Sequence, residues 1–120
     1  MMSIYRFVYI ARGTDSVDNN IAFQFNNDTG SNYASHSVYG DGTSASVAVF
    51  QPDNGASLVS LSNSSRGANA FSAGIIDILD YANTNKNKTI RDLSGREDNS
   101  AGILLFSSNL WRSTSAISSI

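Results

Sequence analysis

Apolar residues recur along this chain in short runs, each closed by Gly, Asn or Asp, the pattern of an all-β sandwich or barrel. Residues 4–12 are β-branched and aromatic on both faces apart from Arg6 and Arg12, and read as a central strand. Residues 20–26 alternate cleanly, with Ile21, Phe23 and Phe25 on one side and Ala22 and Gln24 on the other. Asn27-Asp28-Thr29-Gly30 predicts a turn, and with it a hairpin to a strand over 32–39. Gly40-Asp41-Gly42 predicts a second tight turn, followed by a strand over 44–50. Past the only proline, Pro52, come a short strand over 57–62 and a polar loop over 63–69.

The second half opens with the longest apolar run, 71–79, in which Ile75, Ile76, Ile78 and Leu79 are core candidates on both faces. Asp80 is a fair N-cap for one helical turn within 80–87, a stretch too short and too Asn-rich for a lasting helix. Strand patterns resume over 88–94 and 101–106, on either side of a charged turn over 95–100. Residues 107–115 hold Trp111 in a Ser/Thr-rich stretch, and 116–120 begin another strand. The expectation is one domain over 1–120: an all-β, antiparallel, jelly-roll-like β-sandwich of about eight strands with at most one short helical turn.

Composition narrows the function more than the fold. Charged residues make up only 15% of the chain, with Ser, Asn and Thr in their place. A net charge of −2 and dispersed basic residues argue against nucleic acid, which needs clustered Lys and Arg to release counterions. There is no cysteine, which removes disulfides, thiol catalysis and Cys-based zinc sites. No apolar run approaches the ~20 residues that span a bilayer, and residues 4–11, broken by Arg6, do not read as a signal peptide.

Candidate chemistry is sparse. His36, the only histidine, lies between two serines on an expected strand and reads as a surface or core-edge residue. Asp77 and Asp80 are a pair of carboxylates of the kind glycosidases use, but Asp77 sits inside an apolar strand and reads as structural. Residues 15–20 offer Asp and Asn oxygens to calcium, without EF-hand spacing, and read as an ordinary turn. No metal or cofactor is expected. Glycan binding is the most plausible chemistry: Tyr33, Tyr39 and Trp111 are candidates for a flat aromatic shelf.

Several longer words in the chain carry a resemblance. They are Ala11-Arg-Gly-Thr-Asp-Ser16, Phe23-Gln-Phe-Asn-Asn-Asp-Thr-Gly-Ser-Asn-Tyr33 and Tyr39-Gly-Asp-Gly42 in the first half. In the second half they are Ile75-Ile-Asp-Ile-Leu-Asp-Tyr-Ala-Asn-Thr-Asn-Lys86, Lys88-Thr-Ile-Arg91 and Leu110-Trp-Arg-Ser-Thr-Ser-Ala-Ile117. Together they resemble a small β-domain of tailed-bacteriophage structural proteins, marine and cyanobacterial phages above all. The resemblance implies a virion component of a tail fibre, baseplate or capsid surface, a homo-oligomer bound to other virion proteins, and no enzyme. It also implies a further strand beyond Ile120, so that a neighbouring subunit is expected to cover the edge left open there. A host-glycan receptor module is the alternative, and a glycan-cleaving enzyme the third reading.

Overall fold

The computed structural model describes residues 2–98 and 101–120. Eight strands form: β1 (Ile4–Ala11), β2 (Asn20–Phe23), β3 (Tyr33–Gly40), β4 (Ala45–Asp53), β5 (Ala56–Ser60), β6 (Ser72–Leu79), β7 (Lys88–Arg96) and β8 (Ile103–Trp111). Among the described residues there is no helix, and every strand ladder is antiparallel. The all-β, antiparallel expectation of about eight strands therefore holds. The strands divide six and two: one sheet in the order β1-β6-β7-β8-β3-β4, and a flap of β2 paired with β5. The flap lies on one face of the large sheet, with β5 crossing β7 and β8.

Side chains alternate between the two faces of the large sheet, as strand geometry requires. On the covered face, Ile76, Ile78, Ile90, Tyr33 and Trp111 join Phe25 and Ala56 in one buried cluster. Phe7, Phe23, Tyr81 and Ile117 pack against it. Burying these side chains is the main force holding the flap to the sheet. Gly74 in β6 faces Tyr9 of β1, whose ring lies where a Cβ would stand, 2.7 Å from it. The tyrosine thus covers the glycine across the strand pair.

Local details depart from the sequence expectations. β1 is an edge strand, not a central one; its second apolar face is open to solvent. The turn after Phe25 does not close a hairpin. Asn26 and Asn27 both adopt positive φ (53° and 57°), which carries the chain from the flap to the large sheet, where β3 pairs with β4 and β8. Residues 80–87 form turns, not a helical turn: Asp80 has φ 55° and so cannot cap a helix. β8 runs through the Ser-rich stretch to Trp111, well past residue 106. Residues 116–120 form no strand, and the large sheet's edges are β1 and β4. Asn99 and Ser100, the end of the expected charged turn, lie outside the described residues.

Candidate interaction surface

The expected aromatic shelf is dismantled by the fold. Tyr33 and Trp111 are 0% and 2% exposed, directly paired across β3 and β8, and stacked with ring centroids 6.4 Å apart. Their polar atoms are consumed locally. The Trp111 indole donates to Asp28 Oδ2 at 2.7 Å, and the Tyr33 hydroxyl accepts from Phe25 N at 2.9 Å and donates to Asp28 O at 3.0 Å. Asp28 is a keystone beneath both rings. The indole N–H, then the Gly30 N–H and the Asn32 amide, hold its carboxyl below the usual range. Tyr39 lies three same-face rows of β3 further along, only partly exposed, so the three residues form no shared surface.

The remaining candidates are structural. Asp77 pairs with Arg6 directly opposite it on β1, through two bonds of 2.6 and 2.9 Å. Asp80 binds Lys86 at 2.7 Å. Each carboxyl is held low by its own cation, and neither faces the other in a cleft. Asp15 accepts the Asn19 amide, and Asp18 accepts from Asn63 and binds Arg66 and Arg96. That loop is braced by its neighbours, and Arg12 donates to the carbonyls of Asn63, Ser64, Arg66 and Ala68 to hold the facing loop. His36 is exposed on the uncovered face of β3.

What the sequence reading missed is an inversion of polarity across the large sheet. The covered face carries a polar seam: Ser35, Asp92, Ser94, Ser107 and Asn109 are all buried. Asp92 Oδ2 accepts from Ser107 Oγ and from Asn109 Nδ2, while among the described residues Asp92 Oδ1, Asn109 Oδ1 and the Ser35 hydroxyl have no hydrogen-bond partner. Burial pushes the Asp92 carboxyl up to about 6, against the lowering effect of its two hydrogen bonds.

The uncovered face is apolar. In register across all six strands run Val8, Ile75, Leu93, Phe106, Val38 and Val47, one row spanning the sheet from edge to edge. Val8 is 73% exposed, Val47 82% and Phe106 49%. The next row is Ile10, Ala73, Gly95, Leu104, Gly40 and Ala45. Neither row contains an ionisable side chain. A polar row bounds them on the other side, with Arg6, Asp77, Arg91, Ser108 and His36. Two shallow grooves mark the face. One, of about 530 Å³, lies among Val38, Val47, Val49 and Phe106; the other, of about 700 Å³, runs over Gly40, Ala73 and Gly95 beside Ile10 and Leu104. Scattered exposed apolar residues are ordinary, but a contiguous, charge-free band of this extent marks an interaction surface.

A second concavity opens between the layers at the β1 edge. It holds about 690 Å³ and is lined by Tyr5, Phe7, Phe23, Ile78, Tyr81 and Ile117, with Gln24 and Ser118 among its polar groups. Phe23 of β2 meets Phe7 of β1 with ring centroids 5.8 Å apart, so the flap forms one wall of this cleft.

No family model matches the chain, and neither a curated protein nor a solved structure is significantly similar to it. The phage resemblance therefore stands on the sequence words alone.

Proposed function

We propose that this chain is a structural subunit of a tailed-bacteriophage particle, in a tail fibre, baseplate or capsid surface, that works by adhesion to neighbouring virion proteins and catalyses nothing. The observation that carries the adhesive part is the uncovered apolar face of the six-stranded sheet. An all-β domain that leaves one face of its main sheet apolar has a surface whose removal from water is favourable, at roughly 25 cal/mol per Å² of apolar area. The sequence words supply the setting, a virion. Low charge fits the same reading, because subunits that approach closely meet little repulsion.

A second reading, recognition of host-surface glycan, is favoured by the aromatic cleft at the β1 edge. Tyr5 and Tyr81 meet edge to face there with centroids 6.0 Å apart, and sugar rings stack on such walls.

One experiment addresses both. A cryo-EM map of the particle is expected to contain this chain with its apolar face covered by a neighbouring subunit. A cleft left open toward the outside favours the receptor reading as an added role. Absence of the chain from purified particles, by mass spectrometry of their proteins, overturns the virion assignment.

A further inference from the structure

We infer that the apolar face binds a second copy of this chain, face to face about a two-fold axis, to form a homodimer. The inference rests on the adhesive reading above and names its partner.

Size is the first argument. Six strands at about 4.8 Å and eight residues at about 3.4 Å give a face of about 29 by 27 Å, on the order of 800 Å². A standard interface takes roughly 800 Å² from each partner, so the whole face is needed, with the two apolar rows, about 29 by 14 Å, as its dry centre and the polar rows as its rim.

Charge is the second. A two-fold contact sets the same patch against itself, so any charge within it meets its own sign. The two apolar rows hold no ionisable group; the Arg6–Asp77–Arg91 row lies to one side of them, and Asp41, Arg96 and Glu97 line the groove on the other. A two-fold axis perpendicular to the strands, lying between the two apolar rows, lays each of these rows on the other in the same order. The charged rows of the two copies then fall at opposite rims, where Arg91 and the Arg6–Asp77 pair stay hydrated.

Relief is the third. The face presents projecting residues, Phe106 and Leu104, beside a floor of Ala73, Gly95 and Gly40. Sheets stack about 10 Å apart by interdigitating such projections and hollows. A bilayer fits less well: two rows cover only about 14 Å of strand, against the ~25 Å apolar band of a membrane barrel.

Sedimentation equilibrium on the whole chain, over about 1–200 μM, tests this. The expected species has twice the 12.8 kDa chain mass. Val47→Asp and Leu93→Asp, each placing a charge in an apolar row, are expected to weaken dimerisation at least tenfold while circular dichroism stays unchanged. A dimer that persists undiminished in both folded variants overturns the proposal, because association then uses another surface such as the β1 or β4 edge. A wild-type monomer throughout also overturns it. In that case an apolar dye that still binds the face, and is lost in Val47→Asp, leaves the adhesive reading standing with a different partner. A monomer whose face binds no dye sinks both.

Discussion

Burial pushes the Asp92 carboxyl up to about 6 from an ordinary 3.8, so the folded chain takes up this proton more readily than the unfolded chain does. The group's favourable contribution is thus complete below about pH 4 and is lost as pH rises through about 6. Asp41 behaves oppositely. Backbone N–H groups of Thr43 and Ser44 hold it at about 2, and its contribution appears above the unfolded value and is lost on acidification. A whole-protein pH profile mixes the two signs, and comparison with a variant separates them. Asp92→Asn keeps an acceptor for Ser107 and cannot ionise. It is expected to be more stable than wild type at pH 7.5 by roughly 1–3 kcal/mol, with the gain vanishing near pH 4. Urea unfolding of both proteins at the two pH values checks this; an equal difference at both would place the effect in packing rather than ionisation. Nothing in the sequence flagged Asp92, which lies inside the strand pattern over 88–94 with no signal of which face is covered. Trp111 was visible for what it is, a large aromatic, but not for where it lies. Its single polar atom is satisfied by Asp28, 83 positions away, and such a pairing has no local signature.

At the scale of elements, the period-two pattern located β2, β3, β6 and β7 within a few residues. It failed where a strand was polar on its buried side. β8 was cut at residue 106 because Ser107, Ser108 and Asn109 look like loop, yet Ser107 and Asn109 complete the seam around Asp92. β1 is apolar on both faces, the pattern of a central strand, yet it lies at an edge; periodicity gives the alternation but not what covers each side. The C-terminal segment, expected to begin another strand, is instead clipped to the flap's exit by Asn26 and to the turn after β6 by the Ile117 N–H, which donates to Tyr81 O at 2.9 Å. Asn26 donates from Nδ2 to Ala116 O at 2.8 Å, accepts at Oδ1 from Ser118 N at 2.8 Å and Ser119 N at 3.2 Å, and donates its own N–H to Ser119 O. Its φ of 53° is a conformation that Asn tolerates better than most residues. Asn26→Ala removes the side-chain bonds and strains the backbone, with an expected cost of about 1–3 kcal/mol. Hydrogen exchange should then accelerate at the amides of Ser118 and Ser119 before the strands are affected. Unchanged protection there would show that Ile117, packed on the core, anchors the segment without Asn26.

For the molecule as a whole, the distribution of polarity matters more than the strand count. The chain places Ser, Asn and Asp beneath a small flap and Val, Ile, Leu and Phe on the open side of the same sheet. Such an arrangement is costly for an isolated molecule: the seam holds buried polar atoms that find no partner among the described residues, and the apolar rows order water around them. Covering the open side removes the second cost and leaves the first untouched, so the favourable term in association is apolar burial with no ion pair at its centre. That distinguishes it from charge-steered assembly. Association through the face should therefore show a negative heat-capacity change and should tighten, not weaken, when sodium sulfate is added. An interface built on the Arg6–Asp77–Arg91 row would respond oppositely, since salt screens exposed charges over about 10 Å or less. Isothermal dilution calorimetry at several temperatures, with and without sulfate, separates the two. Dissociation driven by salt would move the contact from the charge-free rows to the charged rim.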